Sequence, residues 1–177
     1  MTQQELEARI AALEARMSVT EEIEDIKRLM ALYEECHDSL ERTEEEVALF
    51  TEDGKFVITF SGEDVGKQDS FLGAWEGKEG LRKLFSKANP KTLSYVAHHI
   101  TNPSITVEGE KANGKWYLIC CLTRLTPEGP VAVWQQGTYD NDFVKIDGKW
   151  KIRVMRFNWN FHTPHEDGWA KTKMWGT

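Results

Sequence analysis

The chain lacks any run of about 18 apolar residues, so no segment reads as a membrane-crossing helix. Positive charge is in deficit: 22 Lys and Arg against 29 Asp and Glu leave a net charge of −7. A nucleic-acid binder needs a basic face to displace phosphate counterions, and this balance argues against one. Cysteine is scarce and odd in number: Cys36, Cys120 and Cys121. Three thiols without a disulfide framework or zinc-ligand spacing read as reduced packing residues of a cytoplasmic protein. Met1–Glu5 shows no basic region leading into an apolar stretch, which fits that compartment. Also missing are a Gly-rich phosphate loop, a Gly-x-Ser-x-Gly elbow, a His-Glu-x-x-His pair and an EF-hand loop. What remains for an enzyme is acid–base chemistry with no metal and no cofactor.

Tryptophan, by contrast, is plentiful. Seven occur in 177 residues, a length that supports one buried core, and 11% of residues are aromatic, which excludes disorder. The first third reads as helix. Leu6, Ile10, Leu13 and Met17 form a narrow apolar stripe, expected to pack on the domain or on a neighbouring subunit. Ser18, three residues before Glu21, predicts a new or kinked helix there. Ile23, Ile26, Leu29, Met30 and Tyr33 carry the next apolar face, and a further helical run covers residues 43–50. This divides the chain into a helical extension over residues 1–17 and a single domain over 18–177.

Asp53-Gly54 predicts a turn, followed by a strand over residues 56–60. Residues 77–88 suit a short amphipathic helix that ends before Asn89-Pro90. Strands are then expected over residues 93–100, 104–108, 115–125, 131–143 and 150–161. Turns are expected at Asn102-Pro103, Asn113-Gly114, Glu128-Gly129-Pro130 and Asp147-Gly148. Helices followed by an antiparallel meander indicate an α+β fold, with helices covering one face of a curved sheet. Trp116, Trp134 and Trp159 lie on the predicted strands, where they either fill a core or form flat walls for a ligand.

Three groups of residues could do chemistry. Tyr33 and Asp38 are five residues apart, about 140° around a regular helix, so both face one pocket only if the helix ends between them. Otherwise Tyr33 is core and Asp38 a cap. His98 and His99 point to opposite faces of a strand, so one can enter the interior as a general base. On the last strand Arg156 and Asn158 share a face with Trp150, Ile152 and Val154. An inward Arg156 would need a carboxylate partner or an anionic substrate group; the alternative is a salt bridge to the acidic helices.

Several segments occur in an order that matches a known family. They are Ile26-Lys27-x-Leu29-x3-Tyr33-x4-Asp38, His98-x3-Asn102-Pro103-x-Ile105-x-Val107, Gly114-Lys115-Trp116-Tyr117-Leu118, Gly137-Thr138-Tyr139-x3-Phe143 and Asp147-Gly148-Lys149-Trp150-Lys151-Ile152. The terminal Asn160-Phe161-His162-Thr163-Pro164 also fits. Over residues 20–168 the chain resembles SnoaL-like members of the NTF2-like superfamily. That group includes scytalone dehydratase, bile-acid 7α-dehydratase, hexachlorocyclohexane dehydrochlorinase and ketosteroid isomerase. The resemblance implies a cone-shaped, strongly bent, mostly antiparallel sheet around helices, with a deep apolar pocket. It implies a His98–Asp38 dyad with Tyr33 beside it. It further implies a homo-oligomer, trimer or dimer. Two departures stand out: Cys120 replaces an acidic residue of the bile-acid branch, and Met155 falls opposite the last-strand Arg of the dehydrochlorinase branch. The expected function is a lyase that removes water or formaldehyde from a hydrophobic aromatic small molecule. Trp116, Trp134, Trp159, Arg156 and Asn158 are its expected substrate contacts. An isomerase or cyclase using the same pocket, or a non-catalytic binding protein, are the alternatives.

Overall fold

No Gly or Pro interrupts the chain from Gln3 to Asp38, and this stretch forms one 36-residue helix, α1 (Gln3–Asp38). The computed structural model describes residues 1–61 and 70–175. The capping box sits at the true start of α1, where Thr2 Oγ1 accepts from the Glu5 backbone N–H and the Glu5 carboxylate accepts from that of Thr2. The predicted break at Ser18 does not occur. Strong helix formers flank it on both sides, and a local capping signal does not outweigh an uninterrupted hydrogen-bond ladder. The N-terminal stripe does not pack on the domain: Leu6, Ile10, Leu13 and Met17 are all 43–59% exposed.

The remaining elements are α2 (Thr43–Ala48), β1 (Phe50–Phe60), β2 (Ser70–Glu76), α3 (Gly77–Phe85), β3 (Leu93–Glu108), β4 (Lys111–Thr126), β5 (Gly129–Ile146), β6 (Lys149–Pro164) and α4 (Gly168–Lys171). The strands form one curved, unclosed six-stranded sheet in the order β2-β1-β6-β5-β4-β3. Among the strand pairs of the described residues, only β1–β6 is parallel. The fold is α+β, with α2, α3 and the C-terminal half of α1 against the concave face.

Three predicted turns lie inside strands. Asn102, with φ +55°, makes a bulge in β3, and Pro103 is tolerated because β3 is an edge strand. Gly114 lies within β4 because the Trp116 ring covers it; a Cβ there would stand 2.4 Å from that ring. The Asp53-Gly54 turn is likewise absorbed into β1. Asp147-Gly148 does turn the chain, both residues having positive φ, as a type I′ hairpin requires.

The core is the seam between α1 and the sheet. Ile26, Met30 and Tyr33 descend from α1 onto Leu118, Tyr139, Phe143, Ile152 and Met155, all fully or almost fully buried. Each such aliphatic or aromatic side chain contributes about 1.5–3 kcal/mol by leaving water. Glu22 ties the helix to the β5–β6 hairpin, accepting from Trp150 Nε1 at 2.6 Å and pairing with Lys145. Lys78 secures α3 by donating to the Val47 and Phe50 carbonyls at 2.9 and 2.7 Å.

Candidate active site

Beyond the seam, the concave face opens into a cavity of about 620 Å³. Phe56, Leu72, Trp75, Phe85, Leu122 and Trp159 supply apolar wall, while Tyr33, His37, His98, Gln135, Tyr139 and His162 bring polar atoms to it. The β4 pattern explains the wall: Trp116, Leu118, Cys120 and Leu122 are buried, while the residues between them face outward or are partly covered.

His98 points inward, its side chain 7% exposed, and His99 faces solvent. His98 Nδ1 lies 2.5 Å from Asp38 Oδ1, and the same carboxylate accepts the His98 backbone N–H at 3.0 Å. Tyr33 reaches the cavity from the same helix. The helix does not end between Tyr33 and Asp38. Instead the two side chains use their angular separation: Tyr33 faces the cavity, and Asp38 stands behind His98, against β3. With Nδ1 engaged by a carboxylate, Nε2 is the nitrogen His98 presents to the cavity. Burial pulls its pKa down, the Asp38 hydrogen bond pulls it up, and neighbouring His37 lowers it; the net shift is downward. His98 is therefore a neutral base at neutral pH.

A second histidine–carboxylate pair lies beside the first. His37 Nδ1 is 2.7 Å from Glu46 Oε1, and the His37 and His98 ring centroids are 4.9 Å apart. His37 also stacks on Tyr33 at 5.7 Å. Burial disfavours its charge, but the charge and hydrogen bond of Glu46, then the charges of Glu34 and Asp38, together raise the pKa. Burial likewise raises Tyr33 and Tyr139 well above the usual phenol range, so both stay protonated. Glu34, buried and without a side-chain hydrogen-bond partner among the described residues, is pushed up to about 8 by burial. Cys120 is buried, and its thiol pKa is raised by burial. Among the described residues no group of His, Cys, Asp and Glu has metal-site geometry.

His98, Cys120, Gln135 and His162 are direct cross-strand neighbours on β3, β4, β5 and β6. Three interstrand steps put His162 about 14 Å from His98 along the sheet. Trp159 Nε1 donates to Gln135 Oε1 at 3.0 Å. His162 is 1% exposed, lies 5.4 Å from the Trp159 ring, and among the described residues finds no hydrogen-bond partner for either side-chain nitrogen. Burial first, then the charge of Arg124, lowers its pKa to about 4.

Of the five expected substrate contacts, only Trp159 lines the cavity. Trp116 is core, packed edge-on to Phe143 at 6.0 Å. Trp134 sits on the outer face, its Nε1 donating to His165 Nδ1 at 2.7 Å. Arg156 is exposed and pairs with Asp142 at 2.7 Å, on the neighbouring strand rather than on the acidic helices. A bulge at Arg153, where Ile152 pairs with Phe143 but Val154 with Asp142, reverses the alternation that placed Arg156 with Ile152. Asn158 joins strands instead, donating to Ser61 Oγ at 2.8 Å and accepting from Thr59 at 3.0 Å. His37, Glu46, Trp75, Gln135 and Tyr139 are not among the site residues expected from the sequence. For His37 a signal existed: it follows Tyr33 by four residues, one helical turn on the same face.

The chain matches the SnoaL-like domain family over residues 18–156. Similar solved structures include a provisionally assigned scytalone dehydratase from Novosphingobium aromaticivorans, at 21% identity and TM-score 0.65, covering 81% of this chain and 87% of that one. A provisionally assigned aromatic ring hydroxylase from the same species is 25% identical, with TM-score 0.64, covering 82% and 96%. A hexachlorocyclohexane dehydrochlorinase from Novosphingobium barchaimii is 19% identical, with TM-score 0.63, covering 88% and 93%. No curated protein matches.

Proposed function

The chain belongs to the SnoaL-like domain family, and on that premise we propose that it is a cofactor-independent lyase that eliminates water or formaldehyde from a hydrophobic aromatic small molecule. The observation that carries this reading is the His98–Asp38 pair at the wall of an apolar cavity, with the Tyr33 hydroxyl nearby. Asp38 holds the proton on His98 Nδ1 and leaves the Nε2 lone pair free to take a proton from the substrate. The imidazolium that forms is stabilised by the carboxylate already in contact with it. Tyr33, too weak an acid to ionise, hydrogen-bonds to the oxygen on which negative charge develops. The aromatic walls suit planar rings, and the cavity volume suits a ligand of drug-like size.

The test is a screen of aryl alcohols and aryl diols with the purified protein, reading substrate mass and released formaldehyde. Products lighter by water or formaldehyde, lost in His98→Ala, support the reading. Products of unchanged mass point to an isomerase. Absence of any turnover across the panel, with ligands still binding, would leave a binding protein in its place.

A further inference from the structure

We propose that His37 is the proton donor of this site, working opposite His98 as acid to base. The inference rests on the lyase reading and deepens it. Elimination needs two proton transfers: one from the substrate to a base, and one to the departing oxygen or to the carbanion left by C–C cleavage. Tyr33 and Tyr139 are held protonated by burial and are poor sources of the second proton. His37 differs. It lines the same cavity as His98, its ring 4.9 Å from that of His98. Each histidine is anchored through Nδ1 to its own carboxylate, Glu46 on α2 and Asp38 on α1, so each can turn Nε2 to the ligand.

The environments push the two rings in opposite directions. Around His37 stand Glu46 from α2, Glu34 and Asp38 from its own helix, and His98 from β3; Glu46 above all, with Asp38, raises its pKa against burial, and Glu34 adds to this where it is ionised. His98 is lowered. Titratable neighbours with separated pKa values are the usual arrangement of an acid and a base.

For loss of water, His98 Nε2 takes the proton from carbon, and the C–H electron pair forms the double bond. The C–O bond breaks, and the hydroxyl leaves as water with the proton of His37. For loss of formaldehyde, His98 takes the hydroxyl proton and the O–H pair becomes the C=O bond. The C–C bond then breaks, and the carbanion takes the proton of His37. In both cases the site ends with His98 cationic and His37 neutral. Passing one proton between the adjacent imidazoles, directly or through water, restores the starting state.

The experiment compares leaving groups in His37→Gln. Against a hydroxyl leaving group, kcat falls about 10²- to 10⁴-fold, the contribution of general acid catalysis. Against acetate or bromide, which depart without a proton, kcat falls far less. Equal losses for both groups, or none for either, overturn the assignment. An inactive parent protein on every substrate defeats the lyase reading itself. Nitrogen-15 NMR of the resting protein gives a readout free of turnover: His37 titrates above His98, and Glu46→Gln lowers the His37 pKa while the fold stays intact. A neutral His37 at pH values where the enzyme works would also overturn the proposal.

Discussion

Asp38 grips His98 twice, once at the imidazole Nδ1 and once at the backbone N–H, so one carboxylate sets both the ring and the strand that carries it. Asp38→Asn keeps the backbone contact but offers an N–H where the imidazole needs an acceptor. The His98 proton then moves to Nε2, and the base is lost. Turnover is expected to fall about 10³- to 10⁴-fold, with the melting temperature little changed because Asp38 is part-exposed. Nitrogen-15 shifts of His98 report the tautomer directly; an unchanged tautomer with full activity would contradict the role.

Glu34 makes the fold sensitive to alkali. Its carboxyl is raised from 4.5 to about 8 by burial, so the folded state holds a proton that the unfolded chain releases above pH 4.5. The stability it contributes is present below pH 4.5 and is lost as pH rises through 8. Glu34→Gln removes that loss and is expected to be more stable than the parent at pH 8 by roughly 3–5 kcal/mol, with near parity at pH 4.5. Urea unfolding at the two pH values decides it.

His162 gives the opposite limit. Its pKa drops to about 4 in the fold, so between pH 6.5 and 4 the unfolded chain binds a proton that the native state refuses. Stability falls with pH across that window by roughly 3 kcal/mol from this one group. His98 is also lowered and adds a loss of the same sign. In His162→Gln the acid slope should flatten; parallel slopes for the two proteins would show that His162 is not responsible.

Gly137 sits where β5 meets the bulge opposite β6. A Cβ there would stand 2.4 Å from the Asn158 carbonyl oxygen and 2.6 Å from the Phe157 ring. A backbone oxygen cannot swing aside as a long side chain can. Gly137→Ala is expected to destabilise by about 1–3 kcal/mol, the ordinary cost of overpacking, read as a lower urea midpoint.

Much of the architecture was legible in residue order. Apolar residues at helical spacing marked the helices, β-branched and aromatic runs marked the strands, and Asp147-Gly148 marked its hairpin. The misplaced turns share one cause. Asn113-Gly114, Asn102-Pro103 and Asp53-Gly54 carry turn chemistry locally, yet long pairing ladders absorb them as a covered glycine, an edge bulge and a bend. Turn residues report what the backbone tolerates; the neighbouring strand decides whether the chain turns.

The site divides in the same way. Residue order alone placed His98 and His99 on opposite faces of a strand, and put Tyr33, Asp38 and His98 among the candidates. Which tryptophans reach the cavity was decided by tertiary structure. Trp134 is turned outward by the phase of β5, and Arg156 by one extra residue in β6. The meeting of His37 with Glu46 and with His98 depends on the packing of α1 against α2 and β3. Periodicity sets the relative facing of side chains within one element. A single bulge resets it, and contacts across 60 residues of sequence exist only once register and helix docking are in place.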